Sequence, residues 1–373
     1  MHMNVSRRQA IASGIATLGA AALDAQEQPM KIGVIGLGNR GHNAHVFTLK
    51  KLSEAKITAI CDIQPDLMKE VNDELPSKAA TYVDYRELIK DPNVGIVVIA
   101  TPGYLHHEMA LAVLRAGKDL LLEKPLSLNY RDAMDVVREA EKSKRVVAVG
   151  MQRRYSDADE LFQTALDHDM IGPVKMIIYS EYRGDWNNGT WRYPDPATGQ
   201  KTIWRKLAKT AGSTELEFSI HALAMVTNMV KSPLVRLAAS GGVVHYKDGR
   251  DTRDVVGILA DFENGARLDY TFNLFAQNVR ESLTVVGDKG TLQRTQKGVL
   301  NSIIGGKQKE VTMDLHLPPG TAETRMYKEF FQDVRDRKQS VISPRVALEP
   351  AKIAYGSDIS IRENRLVTSK DFA

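Results

Sequence analysis

Gly36-Leu37-Gly38-Asn39-Arg40-Gly41 is the segment that most restricts how this chain can fold. Three glycines at that spacing follow Lys31-Ile32-Gly33-Val34-Ile35, an apolar run of strand length, and precede a stretch of helical spacing. A second apolar run, Ile57-Thr58-Ala59-Ile60-Cys61, ends at Asp62, 26 residues after Gly36. Strand, glycine turn, helix, strand and terminal acid, in that order, make a βαβ unit whose loop offers backbone N–H groups to a pyrophosphate. Gly36 and Gly38 permit the tight turn and the close approach of phosphates, Gly41 lets the helix pack on the strand, and Asp62 can accept from ribose hydroxyls. A carboxylate there repels a 2′-phosphate, and no Arg stands at 63 or 64, so NAD is expected over NADP. The alternative, a glycine-rich turn in an unrelated α/β domain, leaves the flanking strand, helix and acid without a reason.

From residue 30 the pattern alternates. Helical spacing at 41–53, 65–74, 84–89, 106–116 and 129–143 is interleaved with apolar runs at 94–100, 120–122 and 145–150. Strands separated by helices predict a parallel, doubly wound sheet. After about residue 172 the pattern becomes apolar–polar alternation at 174–182, 234–245, 254–262, 266–275 and 282–287, with turns at Asn264-Gly265 and 287–290. That predicts an α+β second domain with a large open antiparallel sheet covered on one face. Helical spacing returns at about 321–338 and 346–364, where a helix is expected to pack back on the first domain. A chain of 373 residues exceeds one ordinary core, and the pattern divides it into a nucleotide-binding domain at 30–150 and a substrate and oligomerisation domain at 151–373.

Residues 1–25 follow another logic. Ser6-Arg7-Arg8-Gln9 precedes a mildly apolar stretch of small residues, with Ala20, Ala21, Ala22 and Ala25 as possible cleavage positions. This reads as a twin-arginine export signal, placing the protein in the periplasm or outside the cell; the alternative is a disordered tail on a cytoplasmic protein. Cleavage would remove two arginines and one aspartate, taking the formal charge from +4 to +3. No basic tract suits nucleic acid, the single Cys61 excludes an internal disulfide framework, and no apolar run reaches the ~18–20 residues of a membrane span.

Three segments carry chemistry-bearing side chains: Thr101-Pro102 with His106, Glu123-Lys124-Pro125, and Glu217 with His221. The first two follow apolar strands at the carboxyl edge of the sheet, where a dinucleotide lies in a doubly wound fold. Glu217 and His221, four apart, share a face if helical. His106 and His107 point to different helix faces with no third ligand nearby in sequence, so no metal is expected. The stretch from Tyr182 to Arg205 holds Trp186, Trp191, Arg192, Tyr193, Trp204 and Arg205. Aromatic faces and guanidinium donors suit a sugar ring, and a structural loop or an oligomer contact would use them equally well.

The segments GLGNRG, ATPGYLHHEMALAVLRAGK, LLLEKPLS, VGMQRRY and ELEFSIH resemble the Gfo/Idh/MocA oxidoreductases, which include inositol dehydrogenase and glucose–fructose oxidoreductase, from about Met30 to the C-terminus. The resemblance implies a Rossmann domain followed by an open antiparallel sheet. It implies a catalytic Lys124 that touches nicotinamide ribose and substrate hydroxyl, with His221 at the family's histidine and Glu217 where an aspartate is usual. The implied cofactor contacts are Gly36, Gly38, Asn39, Arg40, Gly41, Asp62, Thr101, Pro102, His106, Glu123 and Lys124. The family's segment leading into the second domain falls on Gln152-Arg153-Arg154, with Arg154 toward the substrate and Arg153 at the surface; Trp204 and Arg205 are assigned to the substrate by their own chemistry, a ring face and guanidinium donors. The chain departs from the pattern at Thr210-Ala211-Gly212-Ser213-Thr214, which is less glycine-rich, at Ala224, where an acid is frequent, and at Glu217 itself.

Removing hydride from a carbon that bears a hydroxyl requires the hydroxyl proton to leave as well, so a base with a suitable pKa must be in reach. Histidine titrates in that range, and a lysine ammonium can stabilise the developing oxyanion. The expected function is NAD(P)-dependent oxidation of a sugar, polyol or glycoside hydroxyl, with the cofactor held tightly if the protein is exported. The alternatives are an NAD-dependent glycoside hydrolase working by transient oxidation, and a non-catalytic sugar sensor. The expected partners are a small carbohydrate and further copies of the chain, joined through the antiparallel sheet.

Overall fold

The first strand, β1 (Met30–Ile35), loses contact with water over its last four residues because helices cover both faces of its sheet. A computed structural model of the protein describes residues 28–184, 192–194, 201–294, 299–315 and 317–373. The export signal expected at 1–25, and Trp186 and Trp191, lie outside these residues, as do the side chains of Arg192 and Tyr193. Strands β2 (Ala55–Cys61), β3 (Ala80–Tyr82), β4 (Ile96–Ile99), β5 (Asp119–Leu122) and β6 (Val147–Val149) complete a parallel sheet in the order β3-β2-β1-β4-β5-β6. The chain winds outward from the middle in both directions, so the sheet's switch point lies between β1 and β4. Their carboxyl ends open a crevice there. The helices start where local chemistry allows: Pro65 opens Pro65–Glu74, and the Asn129 side chain accepts from Asp132 N at 3.0 Å to cap Tyr130–Ser143.

The second sheet contains β7 (Val174–Tyr182), β10 (Leu234–Gly242), β11 (Val255–Phe262), β12 (Arg267–Asn273), β13 (Arg280–Gly287), β14 (Thr291–Arg294), β15 (Leu300–Ile304), β16 (Lys307–Glu310) and β17 (Val367–Thr368); β8 (Arg192–Pro194) and β9 (Lys201–Ile203) form a separate two-stranded ribbon. Its order is β16-β15-β14-β13-β7-β12-β11-β10-β17. It is antiparallel with one exception. β7 lies between β12 and β13, parallel to the first and antiparallel to the second. The expected open antiparallel sheet is present; its one parallel pair, β7 with β12, is not readable from the pattern, because alternation reports which face of a strand is covered and not the direction of its neighbour.

Some elements carried no readable signal. Helix Asp157–Asp167, capped by Ser156 accepting from Asp159 N at 3.2 Å, and the short strands β3, β14, β15, β16 and β17 have no counterpart in the sequence pattern above. Helices Ala322–Asp336 and Pro344–Glu363 return to the first sheet. Val149 N donates to Ile342 O at 2.9 Å, Arg337 Nη1 to Asp119 Oδ2 at 2.8 Å, and Tyr355 OH to Ser127 O at 2.7 Å. One continuous apolar core runs beneath both sheets. Among the described residues no helix is long and apolar enough to cross a membrane.

Candidate active site

The glycine loop divides its labour by position. Gly36 has φ +87, and a Cβ there would stand 2.9 Å from the Ala100 carbonyl. A Cβ on Gly41 would come within 1.8 Å of Gly36 O, so only glycine lets the following helix close on the loop. A Cβ on Gly38 would meet nothing within 4 Å. Behind the loop, Asp62 accepts from Leu37 N at 2.7 Å and from Gln64 N at 2.9 Å. Burial pushes its carboxyl above the ordinary value, and these backbone donors only partly oppose that.

A cavity of about 600 Å³ runs along the carboxyl edge of the first sheet, a volume suited to a small organic ligand. One end is formed by Asp62, Ile63 and Val83 to Arg86; its middle by Gly38, Asn39, Arg40, Thr101 and Pro102; and its other end by Glu123, Lys124, Trp204, Arg205 and Glu217. The far end joins residues from both halves of the chain. Lys124 Nζ donates to Glu217 O at 2.7 Å and lies 3.3 Å from Glu217 Oε2. Arg205 Nε donates to Glu217 Oε1 at 2.7 Å, and its guanidinium lies 4.5 Å from the Trp204 ring centroid. Glu217 sits in a wide π-type turn, Glu215–Ser219, that runs into helix Ile220–Val230.

That turn corrects the expected pairing of Glu217 with His221. A wide turn breaks the four-residue stacking of a regular helix, and two cations hold Glu217 instead. His221 is not among the residues that line the cavity, and it keeps some exposure. Its Nδ1 is buried without a hydrogen-bond partner among the described residues. Burial, and then the charges of Lys124 and Arg153, push its imidazole well below the ordinary 6.5, so the ring is neutral at neutral pH.

Three further expectations change. His106 does not face the cavity: it is fully buried, with Nδ1 2.6 Å from Pro125 O and Nε2 2.9 Å from Thr101 O, and ties two loops together. Arg154 is not among the cavity-lining residues. Arg153, expected at the surface, instead lies in a buried ionic cluster. It donates to Glu281 Oε1 at 2.6 Å and to Tyr179 OH at 3.2 Å, and its Nη1 is 3.5 Å from Glu181 Oε1. Arg294 joins the cluster through Asp159 at 3.3 Å, and Tyr270 OH donates to Glu181 Oε2 at 2.7 Å. One signal for the cluster was present: Glu181 follows Ile177 and Tyr179 on the inward face of β7, where a carboxylate must find a partner. The residues of the cavity's first end, Val83 to Arg86, had no motif to mark them. His107 lies near two carboxylates that its sequence neighbours do not supply, 3.5 Å from Asp135 and 3.9 Å from Asp132.

Glu123 faces the cavity as the hub of a network. Its Oε1 accepts from Arg40 Nε at 2.6 Å and lies 3.0 Å from His45 Nε2, and its Oε2 accepts from Lys124 N at 3.1 Å. Burial alone would raise the Glu123 carboxyl, but the Arg40 charge and the His45 hydrogen bond outweigh it and hold the group well below the usual range. The donor set fits a dinucleotide. The space beside Gly38 is open, Arg40 Nη2 is buried with no partner among the described residues, and Asp62 stands at the ribose end.

Comparison with known proteins agrees with this geometry. A family model for an oxidoreductase family with an NAD-binding Rossmann fold, GFO/IDH/MocA, matches residues 30–151, and a model for the GFO/IDH/MocA C-terminal domain matches residues 162–293. Myo-inositol 2-dehydrogenase of Thermotoga maritima is 29% identical over 287 residues, covering 70% of this chain and 80% of that protein. Inositol 2-dehydrogenase/D-chiro-inositol 3-dehydrogenase of Lactiplantibacillus plantarum is 33% identical over 160 residues, 42% of this chain and 45% of that protein, so the similarity spans less than half of that relative. The crystal structure of an oxidoreductase domain protein from Kribbella flavida superposes with a TM-score of 0.79 at 20% identity, covering 91% of this chain and 99% of that one.

Proposed function

Because the chain belongs to the GFO/IDH/MocA family of NAD-binding oxidoreductases, we propose that it oxidises a secondary hydroxyl of a cyclic polyol or sugar, with NAD as the hydride acceptor. The observation that carries this reading is the meeting of Lys124 with Glu217 at the cavity end farthest from Asp62. Gly38, Arg40, Thr101 and Pro102 would hold the dinucleotide, which supplies the hydride acceptor when bound. Lys124 then offers an ammonium to the substrate oxygen as negative charge grows on it. Glu217 holds that ammonium in place through two contacts and is itself held by Arg205. His221, kept neutral, is the base that receives the hydroxyl proton. Trp204 and Arg205 offer a ring face and donors to the polyol.

The test is direct. The purified protein is denatured and any released dinucleotide identified; the native protein is then titrated with myo-inositol and with aldoses while the absorbance of reduced nicotinamide is followed. Reduction by a cyclic polyol or sugar supports the reading. A bound dinucleotide that none of them reduces favours a sensor.

The acid limb of kcat/KM is expected below pH 6.5. The base must be neutral to act, and burial with the Lys124 charge favours the neutral form, so protonation is deferred to lower pH. Lys124→Met should move that limb upward, since it removes a repelling charge. A wild-type limb above 6.5 would exclude His221 as the base.

Asp62→Ala is expected to narrow the preference for NAD over NADP and to weaken NAD binding about tenfold or more. It removes the ribose acceptor and leaves Leu37 N without its partner, and a hydrogen bond to a charged group contributes about 1.5–3 kcal/mol. Equilibrium titration with both dinucleotides decides it: tighter NADP binding by the wild type refutes the role given to Asp62.

A further inference from the structure

Arg40 is held on two sides. Its Nε donates to Glu123 Oε1 at 2.6 Å, and its Nη1 donates to Glu323 Oε1 at 3.2 Å. Glu123 belongs to the first sheet's edge, but Glu323 lies in the first turn of helix Ala322–Asp336, 283 residues after Arg40. The same helix reaches the network a second time. Tyr327 OH lies 2.7 Å from His45 Nδ1, and His45 Nε2 lies 3.0 Å from Glu123 Oε1. A carboxylate can only accept, so His45 Nε2 donates to Glu123. The chain Tyr327–His45–Glu123–Arg40–Glu323 is thus a closed clasp with both ends on one helix. His45 and Tyr327 are fully buried and Glu123 nearly so. The one guanidinium nitrogen left over, Arg40 Nη2, is buried, has no hydrogen-bond partner among the described residues, and belongs to a residue that lines the cavity beside Gly38.

We infer that Glu323 is a positioning residue for the dinucleotide: it fixes the plane of the Arg40 guanidinium so that Nη2 meets the pyrophosphate. This inference rests on reading the cavity as a dinucleotide site. A guanidinium holds its donors in a rigid fork, so anchoring two edges fixes the direction of the third. The effect is geometric and runs against charge, since a second carboxylate near bound phosphate repels it. That opposition supplies the test, because an uncharged acceptor should serve as well as a charged one.

Dissociation constants for NADH and for ADP-ribose are measured by equilibrium titration on the full-length protein, alongside unfolding temperature. Glu323→Ala is expected to weaken both ligands roughly tenfold, the scale of one misaligned charge-assisted hydrogen bond. Glu323→Gln keeps the acceptor oxygen and should bind both at least as tightly as the wild type. In an Arg40→Met background, Glu323→Ala should add nothing, because its effect passes through Arg40. Loss of a first-turn acid lowers helix stability in any background, so the unfolding temperature alone would not separate the two roles. Wild-type affinity in Glu323→Ala, an undiminished loss in the Arg40→Met background, or equal losses in the Gln and Ala variants would each overturn the inference. A wild type that binds neither NADH nor ADP-ribose would instead overturn the dinucleotide reading beneath it.

Discussion

Lys124→Met is expected to lower turnover roughly 10²–10³-fold while the dinucleotide still binds, the range for losing a positioned donor to a developing oxyanion. Methionine keeps most of the apolar stem and removes only the ammonium. What disappears is the donor that reaches Glu217 O at 2.7 Å and Glu217 Oε2 at 3.3 Å, and with it the cation proposed to face the substrate oxygen. Glu217 keeps Arg205 as a partner, so its carboxylate is not left buried and alone. Turnover at each variant's pH optimum, with NADH affinity measured separately, separates chemistry from binding. His221→Ala should act similarly, and the double variant should lose less than the product of the two single losses if, as proposed, Lys124 stabilises the same oxyanion that proton transfer to His221 creates. Near-normal turnover in either single variant would remove that residue from the mechanism.

Gly38→Val and Gly41→Ala should fail in different ways. Nothing in the protein lies within 4 Å of a Cβ on Gly38, and its backbone is not left-handed, so the valine variant should fold with an unchanged unfolding temperature. Its side chain would fill the phosphate space, and dinucleotide affinity should fall roughly a hundredfold or more, since several N–H contacts of about 1.5–3 kcal/mol each are displaced. Gly41→Ala instead drives a Cβ to 1.8 Å from Gly36 O, so the turn itself must open and both stability and binding should drop. A stable Gly38→Val protein that keeps wild-type affinity would place the pyrophosphate elsewhere.

The first sheet was legible because each of its signals is local: glycines at fixed spacing, apolar runs, helix caps. The expected helix at 65–74 coincides with Pro65–Glu74, and in the second sheet the expected strand at 174–182 coincides with Val174–Tyr182. Lys124, Glu217, Trp204 and Arg205 do line one cavity end. What escaped reading depends on neighbours far along the chain. Nothing in the residues of β7 states that β12 lies beside it in parallel. Arg153 looks like a surface arginine until Glu181, Glu281 and Asp159 surround it. His106 looks like a cavity residue until both ring nitrogens are found against carbonyl oxygens. The Glu217–His221 pairing failed because one wide turn cancels a rule written for regular helices.

The return of helix Ala322–Asp336 to the first sheet has a consequence for the order of events on the ribosome. Residues 30–150 emerge early and could assemble their sheet at once, since domains commonly fold as they are synthesised. Yet Glu123, His45 and Arg40 would then wait through more than 170 further residues for Glu323 and Tyr327. During that interval the Arg40–Glu123 and His45–Glu123 contacts can form, but Arg40 lacks Glu323 and His45 lacks Tyr327. Synthesis of the last fifty residues is therefore what seals the earliest part of the molecule, and a chain truncated before Thr321 would expose its first domain as unfinished rather than independent.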